Sequence, residues 1–515
     1  MADGAGRGPG PVTVVVVGGG IAGLSAALTL SSAPAGARVV VLEASPRLGG
    51  KLASAEFGGR ALDLGPDAFL ARRPEAVGLC RELGLEDDLV APGQRSAFVL
   101  VRGRLRPLPA GLALGVPTRL GPLARSGVLS PPGLARAALD LVAPWAGGGA
   151  GEADRAVAAI TTARLGREVT ELLVDPLIGG IHAGDTARMS AAAVFPPLLA
   201  AAHEGGSLMR ALRAPATDIA TTAATAAAAS TGAGTTGAVP APGDASPPPV
   251  FLTVRGGLGR LVDRLAAVLG ERGVALHTGR PVQRIEPAAP GPVPHRTPAG
   301  APRRWTVHHG AGAVEADAVV VAVPAGVAGA LIAPLDATAG AALGSVEYAD
   351  VAVVTLRLAA GDLGRRLDGT GYLVPRRAGG LVTACTWLTS KWPELARPGD
   401  VVVRASAGRA GDHRAAAVGD EELVAAVVAE LAPVLGLRGA PLERLVTRWP
   451  GAFPQYALGH LDRVAAVEAG GRRLGTVAVA GAALHGVGIP ACIGSGRAAA
   501  RAVLASMAGA AAAVS

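Results

Sequence analysis

The stretch VTVVVVGGGIAGLSAALTLSSAPAGARVVVLEAS, from Val12 to Ser45, decides the fold of this chain. The β-branched run before the glycines predicts a strand buried on both faces, because such continuous runs suit a parallel sheet covered by helices. The alanine- and leucine-rich segment after the glycines predicts a helix, and Val39 to Leu42 predict a second strand. Strand, glycine turn, helix and strand in this order predict a βαβ unit that opens a doubly wound sheet.

The glycines of this stretch form the pattern G-x-G-x-x-G, in which each glycine meets a specific structural requirement of a dinucleotide site. Gly18 allows the tight turn, Gly20 lets the backbone approach a pyrophosphate, and Gly23 lets helix and strand pack closely. The helix N-terminus then offers free N–H groups to the phosphates. Glu43 comes twenty residues after Gly23, where an acid can accept hydrogen bonds from ribose hydroxyls. The stretch therefore predicts dinucleotide binding.

Length and composition indicate a globular protein. The chain has 515 residues, 50% hydrophobic and 17% charged, so it can form two or three domains with substantial cores. The formal net charge is +8, but only Lys51 and Lys391 are lysines, and the arginines are spread along the chain. This distribution argues against nucleic-acid binding. It is compatible with a mild attraction to anionic substrates or membrane surfaces.

The spacing of the cysteines and the length of the apolar runs indicate the cellular compartment of the protein. Cys80, Cys385 and Cys492 are too widely spaced for a disulfide framework or a metal site, which favours a reducing cytoplasm and no metal. The opening MADGAGRGPGP lacks the apolar core of a signal peptide. No apolar run reaches about 18 residues without charge, proline or heavy Gly and Ala content. We expect a cytoplasmic protein, soluble or peripheral to the inner face of the membrane.

The later strands predict a discontinuous first domain. Ala318 to Val323 and Thr476 to Ala480 predict strands that return to the dinucleotide sheet. The middle of the chain is therefore expected to form an inserted domain. Two low-complexity tracts, 214–249 and 288–302, are expected to be mobile.

The stretch 109–145 consists of short apolar pieces broken by prolines and glycines, with arginines between them. This mixture is compatible with helices over an apolar cavity or with a face that contacts a membrane. Ordinary core helices explain it equally well.

A second glycine motif follows the ribose acid directly. EASPRLGGK, Glu43 to Lys51, contains Arg47 and the pair Gly49-Gly50, which predicts a turn where backbone lies against the cofactor. Nicotinamide dehydrogenases have no need of this motif, whereas the region resembles the glutathione-reductase-like flavoproteins of the amine-oxidase type. The expected fold is α/β: a Rossmann-like FAD-binding domain, discontinuous in sequence, with an α+β inserted substrate domain and a helical subdomain.

This architecture divides the chain into six expected segments. FAD-binding segments are expected at 1–75, at 251–330 and at the C-terminus, 471–515. Between them lie a helical and substrate-cavity region at 76–213, a mobile low-complexity insert at 214–250 and a substrate domain at 331–470.

The whole chain resembles the oxygen-dependent protoporphyrinogen oxidases, and more closely the bacterial coproporphyrinogen III oxidases of that family. The resemblance runs from near one end of the chain to the other. The motifs that carry it are GGGIAGLSAA (Gly18 to Ala27), EASPRLGGK (Glu43 to Lys51), LGPDAFLARR (Leu64 to Arg73), DPLIGGIHAGD (Asp175 to Asp185), TACTWLTSKWPE (Thr383 to Glu394), RWPGAFPQYALGH (Arg448 to His460) and GVGIPACIGSG (Gly486 to Gly496).

This resemblance implies FAD as the cofactor and assigns its contacts. It assigns no catalytic side chain, because the flavin supplies the chemistry. The implied contacts are Gly18, Gly19, Gly20, Ile21, Ala22 and Gly23 for the pyrophosphate, Glu43 for the ribose, Ala44, Arg47, Gly50 and Lys51 for the adjoining turn, Gly65, Pro66, Asp67 and Ala68 along the flavin, Val282 beside the adenine, and Gly481, Val487, Gly488 and Ile489 at the C-terminal end of the site.

The resemblance also implies a reaction, the six-electron oxidation of a porphyrinogen to a porphyrin in haem biosynthesis. Three rounds of hydride transfer to the flavin, each followed by reoxidation with dioxygen, give three H2O2. Coproporphyrinogen has four carboxylates against two for protoporphyrinogen, so a more basic pocket favours it. Arg72, Arg73 and Lys391 are the candidate carboxylate partners. Hand-over to a downstream haem-pathway enzyme is a further expectation, and the oligomeric state is not indicated.

Other polar and aromatic side chains in these motifs are interpreted as structural. His182 and His485 are more typical of satisfied structural histidines than of catalytic groups. The aromatic residues of the motifs are predicted to belong to the core rather than to stack on a porphyrin; they are Trp387, Trp392, Trp449 and Tyr456.

Two positions depart from the family pattern. Ala97 stands where eukaryotic members carry an arginine proposed to grip a propionate, and Ala491 stands where an acid usually follows the proline of GVGIP. Three alternatives stay open: protoporphyrinogen IX oxidase, flavin amine oxidase and a non-catalytic porphyrin-binding flavoprotein. Leu484-His485, where an amine oxidase is expected to place an aromatic pair, argues against the second.

Overall fold

The computed structural model of the chain describes residues 12–33, 36–144, 154–213, 249–288 and 304–512. The predicted mobile insert and the second low-complexity tract lie almost entirely outside these residues. The chain divides into two compact units. The first unit comprises Met1–Leu52, Arg260–Val346 and Asp462–Ser515; the second comprises Ala53–Gly259 and Glu347–Leu461. The prediction that both ends of the chain share one discontinuous domain is confirmed.

The first unit is built on a five-stranded parallel sheet. Its central strand, Thr13–Val17, is buried along its whole length, as the β-branched run predicts. Residues 14–17 pair in parallel with residues 39–42 on one side and 318–321 on the other. The strands lie in the order Ala275–His277, Arg38–Leu42, Thr13–Val17, Ala318–Val321 and Val477–Val479. The two predicted returning strands therefore belong to this sheet.

Helices and a small antiparallel sheet complete the first unit. The opening helix, Ile21–Ser31, contacts the last helix, Ile489–Ala512. The other helices that lie mostly in this unit are Gly259–Glu271, Ala325–Ile332, Ala337–Gly344 and His460–Leu474. The antiparallel sheet has the strands Val282–Pro287, Trp305–His309 and Gly312–Ala316.

The second unit contains a seven-stranded sheet. The strands lie in the order Glu443–Pro454, Tyr348–Ala359, Asp400–Ala407, Val382–Trp387, Gly371–Leu373, Phe98–Val101 and Arg104–Pro107. The strand 443–454 was not predicted, because Pro450 and Gly451 interrupt its pattern. It is an edge strand, where a proline removes no obligatory hydrogen bond of the ladder.

Small strands and short helices make up the rest of the second unit. The helices include Pro74–Glu82, Leu120–Ser126, Pro131–Ala138, Val157–Leu165, Asp175–His182, Pro196–Glu204, Leu388–Lys391, Arg414–Ala417 and Asp420–Leu435. Many apolar side chains of the stretch 109–144, such as Leu112, Val116 and Leu123, are buried in one core cluster with those of the later helices. Core packing therefore accounts for these residues, whereas Leu139 and Val142 near the end of the stretch are exposed. None of the helices in the described part of the chain has the length and apolar character needed to cross a bilayer.

The division at Leu52 lies before the predicted boundary at residue 75. The hairpin strands Ser54–Phe57 and Arg60–Asp63 pair with each other, and Phe69–Leu70 pairs with Phe251–Val254, all within the second unit. Phe57 and Leu62 pack with Trp392 in a core cluster of that unit. The finer division into six functional segments stays a prediction.

Candidate functional site

The glycine loop of the first unit has the geometry that its sequence predicts. Gly18 has a φ of +106°, and an added Cβ would lie 2.5 Å from the carbonyl oxygen of Ala322. An added Cβ at Gly23 would lie 1.9 Å from the carbonyl oxygen of Gly18. Gly20 differs, because a Cβ there would meet no protein atom within 4 Å. The backbone of Gly20 therefore faces open space, where a ligand can approach it.

The helix that follows presents its N-terminus at this open space. Gly20 is the N-cap of Ile21–Ser31, and no side chain caps the helix. The first N–H groups of an α-helix have no partner within the helix, and the dipole makes this end attractive for anions. The loop can thus hold a pyrophosphate through backbone groups.

Glu43 and the second glycine turn lie beside this loop. The Glu43 carboxylate accepts hydrogen bonds from the backbone N–H groups of Gly19 (2.6 Å) and Ser45 (2.8 Å). Gly49 donates its N–H to the Gly19 carbonyl at 2.8 Å, and a Cβ added at Gly50 would lie 3.3 Å from the Cα of Gly20. The ribose acid and the two glycine turns thus form one surface of the first unit.

Arg47 stabilises the second turn from within. Its guanidinium donates hydrogen bonds to three backbone carbonyls, those of Gly50 (2.6 Å), Leu48 (3.2 Å) and Leu52 (3.3 Å). The predicted cofactor residue Ala44 is exposed on the same turn, and Val282 is half-buried at the start of its strand. Arg47 therefore fixes the turn that carries Gly50 and Lys51.

The last helix brings the C-terminal motif to the same unit. A Cβ added at Gly496 would lie 1.9 Å from the Ala22 carbonyl, so the early turns of the first and last helices touch backbone to backbone. Gly481, with a φ of +125°, donates its N–H to Ser495 Oγ at 3.0 Å. Val487 and Gly488 precede the helix start at Ile489. Two helix N-termini therefore belong to one compact unit.

Lys51 and Cys492 connect the second glycine turn with this helix electrostatically. Burial lowers the pKa of Lys51, and the nearby Cys492 opposes that change. Burial raises the pKa of the Cys492 thiol to about 11 although Lys51 lowers it. Cys492 is thus a neutral thiol near neutral pH rather than a reactive thiolate.

The predicted flavin-lining loop, Gly65 to Ala68, lies in the second unit on a buried ionic cluster. Asp67 is 4% exposed and receives hydrogen bonds from Lys391 Nζ (3.0 and 3.1 Å) and Trp392 Nε1 (3.0 Å). Arg404 Nη2 lies 3.4 Å from the same carboxylate. Arg404 Nη1 also donates to the carbonyls of Asp63 (2.9 Å) and Gly65 (3.1 Å). We call Asp67, Lys391, Trp392 and Arg404 the Asp67 cluster.

The Asp67 cluster corrects one interpretation from the sequence. Burial alone would raise the pKa of Asp67, but Lys391 and Arg404 outweigh it, so the pKa is lowered and the carboxylate is ionised. Lys391 is fully buried, with its ammonium on Asp67. The prediction that Lys391 contacts a substrate carboxylate is therefore wrong for this arrangement, because the charge is already compensated inside the core.

Arg72 and Arg73, the other predicted carboxylate partners, are both exposed just after the strand Phe69–Leu70. Arg73 forms an exposed ion pair with Glu75 at 2.9 Å. Such a pair contributes little to stability, so Arg73 can exchange this partner for another carboxylate. Their positions are compatible with the predicted role.

Most of the residues interpreted as structural are buried, but His182 differs from the predicted satisfied histidine, because its buried Nδ1 has no hydrogen-bond partner among the described residues. His182 is buried against Tyr456, and burial lowers the pKa of His182 to about 4, with His460 as a second cause. Tyr456 stacks on His460 with ring centroids 3.9 Å apart. Three of the four aromatics are buried, namely Trp387, Trp392 and Tyr456, and the half-buried Trp449 donates to the Leu64 carbonyl at 3.1 Å. His485 is exposed and contacts Glu468 at 2.8 Å.

The sequence analysis missed Arg404. This arginine is 4% exposed and donates hydrogen bonds to the carbonyl of Gly65 in the predicted flavin-lining loop and to that of Asp63 just before it. It is the lone charge within the apolar run VVVRASA, a pattern that points to a buried ion pair. Its partner, Asp67, lies more than three hundred residues earlier in the chain, so no local signal connects the two.

A parallel sheet with a glycine loop, an uncapped helix N-terminus and a ribose acid defines a dinucleotide-binding oxidoreductase fold. The chain matches the family model of flavin-containing amine oxidoreductases over residues 21–504. The protein belongs to this family of FAD-dependent oxidoreductases. The predictions of fold class, cofactor and enzyme class are confirmed.

Relatives of known name are similar over nearly the whole chain. The coproporphyrinogen III oxidase of Bacillus subtilis is 31% identical, with 94% of this chain and 96% of the relative covered. That of Propionibacterium freudenreichii is 35% identical, with coverage of 95% and 91%. The protoporphyrinogen oxidase of Bos taurus is 31% identical, with coverage of 96% and 98%. The predicted family resemblance is confirmed.

Solved structures agree with this family. A crystal structure from Exiguobacterium sp. 255-15, named for protoporphyrinogen oxidase, has a TM-score of 0.79 at 29% identity and covers 96% of this chain and 99% of its own. Cyclohexylamine oxidase from Brevibacterium oxydans has a TM-score of 0.65 at 19% identity, with coverage of 97% and 100%. The second likeness concerns the fold alone.

Proposed function

We propose that this protein oxidises coproporphyrinogen III to coproporphyrin III, a six-electron reaction that consumes three dioxygen molecules and releases three H2O2. The observation that carries the proposal is the end-to-end similarity to bacterial relatives named coproporphyrinogen III oxidase. FAD, when bound, accepts hydride from the substrate and passes the electrons to dioxygen. The protein has to bind, orient and shield the reactants.

The residues of the first unit fit FAD and are proposed to hold its adenosine half. The backbone of Gly20 and the N-terminus of Ile21–Ser31 take the pyrophosphate, because a Cβ-sized space in front of Gly20 is free of protein atoms. The Glu43 carboxylate, which already accepts two backbone N–H groups, has oxygen lone pairs left for ribose hydroxyls. The N-terminus of Ile489–Ala512 offers a positive dipole end to negative charge on the cofactor.

The second unit is proposed to supply the flavin-lining loop and the substrate contacts. The Asp67 cluster holds the loop Gly65 to Ala68 rigid through charge-assisted hydrogen bonds in the core. No proton transfer by these groups is required. Arg72 and Arg73 meet the carboxylates of the substrate, and four carboxylates profit more from such cations than two.

The experiment that tests the proposal is an oxidation assay under air. Purified, FAD-loaded protein is given coproporphyrinogen III or protoporphyrinogen IX, and porphyrin fluorescence and H2O2 are followed. We expect porphyrin and peroxide in a ratio of one to three, and faster turnover of coproporphyrinogen in an equimolar mixture. Absence of enzyme-dependent porphyrin from both substrates would contradict the oxidase function and favour a porphyrin-binding flavoprotein.

Two arginine variants test the substrate contact. Arg72→Ala combined with Arg73→Ala is expected to raise KM for coproporphyrinogen by about 10-fold, the cost of lost charge-assisted contacts. FAD content should stay unchanged. Arg81→Ala is the matched control, because Arg81 is exposed and paired with Glu86 nearby in the sequence. An equal loss of FAD and of substrate affinity would instead indicate a folding role for the pair.

The remaining partner assignments extend this proposal. Product hand-over to a downstream haem-pathway enzyme follows from the relatives' named activity. The three cysteines, which are buried and form no disulfide, support a cytoplasmic location. The net charge of +8 supports peripheral contact with the inner face of the membrane. Co-sedimentation with anionic vesicles at low and high salt tests the membrane contact, since electrostatic binding weakens as salt rises.

A further inference from the structure

The two lysines of the chain have different surroundings. Lys391 is fully buried, and its ammonium lies on the Asp67 carboxylate. Lys51 is only half-buried, and its ammonium forms no hydrogen bond or ion pair with any residue that the structure describes. Since the side chain is not fully enclosed, a ligand can reach this ammonium.

Among the described residues, no carboxylate compensates the charge of Lys51. Burial lowers its pKa, and the group that opposes this change is the Cys492 thiol. That thiol has a pKa of about 11, so it is neutral near pH 7 and balances no charge. A partly desolvated cation without a counter-charge is unfavourable, and an anionic ligand would relieve this cost.

Lys51 lies between two parts of the first unit that are assigned to the cofactor. It follows Gly50, where an added Cβ would lie 3.3 Å from the Cα of Gly20. Its electrostatic neighbour Cys492 belongs to the first turn of Ile489–Ala512. The side chain therefore starts beside the glycine loop and lies near the N-terminus of the last helix.

The last helix begins at some distance from the pyrophosphate site. It crosses the first helix at Gly496, where an added Cβ would lie 1.9 Å from the Ala22 carbonyl. Ile489, the start of the helix, comes seven residues earlier, which corresponds to about 10 Å along the helix axis. In FAD the ribityl chain separates the flavin ring from the pyrophosphate by a distance of the same order. The position of this helix end therefore suits the flavin end of the cofactor.

Reduction places a new negative charge on the flavin ring. A hydride from the substrate, which is two electrons with one proton, converts FAD to the anion FADH⁻. Dioxygen then takes up the two electrons and, with this proton and one more from solvent, leaves as H2O2. The oxidised ring is neutral, so a cation beside it gains an attraction only after reduction. Such a difference shifts the equilibrium towards the reduced state.

We propose that the Lys51 ammonium pairs with the negative charge of reduced FAD and thereby raises the reduction potential of the bound cofactor. The inference rests on the FAD site proposed above for the first unit and adds a side chain for the charge of the reduced ring. The N-terminus of Ile489–Ala512 acts in the same direction. The competing partner is the pyrophosphate, whose charge is the same in both redox states.

The test is an anaerobic potentiometric titration of the FAD-loaded full chain, without any porphyrinogen. Lys51→Met removes the charge and keeps a long unbranched side chain. It is expected to weaken the binding of reduced FAD about 10-fold more than that of oxidised FAD, which lowers the two-electron midpoint potential by about 30 mV. Lys51→Arg keeps the charge and should stay close to the wild-type potential.

Arg38→Met is the matched control, because it changes the net charge of the first unit by the same amount. Arg38 is exposed at the start of the strand Arg38–Leu42, at the opposite end of that strand from Glu43. This variant should keep the wild-type potential. An equal drop in Arg38→Met and Lys51→Met would indicate an effect of net charge alone and contradict the pairing.

Titration of the apoprotein with oxidised FAD separates the two possible anions. If Lys51→Met weakens or abolishes binding of oxidised FAD and leaves the potential of any bound cofactor unchanged, Lys51 serves the pyrophosphate and the proposal is overturned. An unchanged potential with unchanged FAD affinity overturns it as well. Because Lys51 has no partner to lose among the described residues, the Lys51→Met apoprotein should melt at the wild-type temperature or above. A lower melting temperature with an unchanged potential would assign Lys51 a structural role instead.

The proposed oxidation is tested separately, by porphyrin formation. A lowered potential in Lys51→Met, combined with a wild type that forms no porphyrin, would retain the role of Lys51 and reject the substrate. An unchanged potential in Lys51→Met, combined with porphyrin formation by the wild type, would reject the role of Lys51 and retain the reaction.

Discussion

Single residues of the Asp67 cluster show how a buried charge can position a loop. Lys391 and Arg404 lose their hydration in the core, and the Asp67 carboxylate with the carbonyls of Asp63 and Gly65 replaces the lost water. The desolvation cost of such pairs rivals their attraction, so their main effect is to specify geometry. In this protein the geometry specified is that of the loop Gly65 to Ala68.

Removal of Lys391 should show how much the buried Asp67 carboxylate destabilises the fold when its ion-pair partner is absent. Lys391→Met leaves the Asp67 carboxylate buried with less compensation and is expected to lower the free energy of unfolding by about 3 kcal/mol. Urea denaturation of the FAD-loaded protein measures this change. Arg397→Gln, an exposed arginine near in sequence, should change stability by less than about 0.5 kcal/mol. If Lys391→Met keeps the stability of the wild type but raises the KM for the substrate, the result would instead support the predicted substrate contact of Lys391.

Substitution by alanine should have different effects at two glycines of the same loop, on FAD affinity at Gly20 and on apoprotein stability at Gly18. Gly20→Ala meets no protein atom, so the apoprotein should keep its stability while FAD affinity falls by about 10-fold or more. Gly18→Ala combines a φ of +106° with a 2.5 Å approach to Ala322 and should lower apoprotein stability by about 2 kcal/mol. Fluorescence titration with FAD and urea unfolding measure the two effects. Unchanged FAD affinity in Gly20→Ala would contradict the assignment of the pyrophosphate site.

His182 should make stability depend on pH in the acid range. Its pKa of about 4 in the folded protein lies below the value of 6.5 in the unfolded chain, so the unfolded state binds the additional proton between these values. Stability is therefore lost as the pH falls from about 6.5 towards 4, by about 1.4 kcal/mol per pH unit within the window. Protonation of His182 thus opposes folding.

The measurement compares wild type with His182→Phe, which keeps an aromatic ring beside Tyr456 and does not titrate. The variant should lose less stability than the wild type between pH 6 and pH 4.5. Other titrating groups contribute equally to both curves, so their contributions cancel in the comparison. One of them is Asp63, whose pKa burial raises to about 6, so that its protonation favours folding, opposite to that of His182. His485→Gln, at an exposed histidine, is the control. Parallel pH curves for wild type and His182→Phe would refute the buried neutral imidazole.

At the scale of elements, the contact between the first and last helices connects the two glycine-rich motifs. Ala22 belongs to the first turn of Ile21–Ser31, and Gly496 to an early turn of Ile489–Ala512. Their backbones approach closely because neither position carries a bulky side chain there. This contact is how a motif at the end of the chain joins the dinucleotide site at its start.

The last helix offers a matched pair of glycine substitutions. Gly496→Ala would place a Cβ 1.9 Å from the Ala22 carbonyl, so the helices must separate, and we expect loss of stability by about 2 kcal/mol with weaker FAD binding. Gly509→Ala lies in the same helix with open space around it and should stabilise the helix by up to about 1 kcal/mol. Thermal unfolding with and without FAD measures both. Equal effects of the two substitutions would contradict the close helix contact.

At the scale of the whole molecule, the first unit is assembled from three separated segments of chain. Its sheet forms only when strands more than four hundred residues apart, Thr13–Val17 and Val477–Val479, join the same ladder through Ala318–Val321. Closing such long loops is entropically costly, and a ligand bound by this unit stabilises the assembled state.

FAD should therefore raise the apparent stability of the entire chain by mass action. At about 100 times its Kd, FAD is expected to add about 2.7 kcal/mol to the free energy of unfolding. Differential scanning calorimetry over a series of FAD concentrations measures how the melting temperature depends on the FAD concentration. In Gly20→Ala the same series should shift to higher FAD concentrations, and a melting temperature independent of FAD in the wild type would argue against cofactor binding by the folded chain.

Local sequence patterns were enough to predict the central strands and the glycine loop of the first unit. Val14 to Val17 follow a local rule, because a β-branched run makes a buried strand. The spacing of the three glycines and Glu43 is also a local pattern, although the backbone that Gly18 approaches is that of Ala322, far along the chain. The returning strands were predictable for the same reason, since continuous apolar runs bounded by glycine or proline are local signals. The motifs spread along the chain also sufficed to indicate the family.

Which charged side chains are free depends on contacts that arise when distant segments of the chain fold together. Lys391 reads as a free cation in the sequence, but Asp67 neutralises it from 324 residues away. Arg409 reads as one more surface arginine, yet it is 8% exposed, and its Nε has no hydrogen-bond acceptor among the residues that the structure describes. Burial and pairing depend on which distant segments meet in the core, and electrostatic energies depend on those distances and on the exclusion of water. No local pattern of residues contains that information.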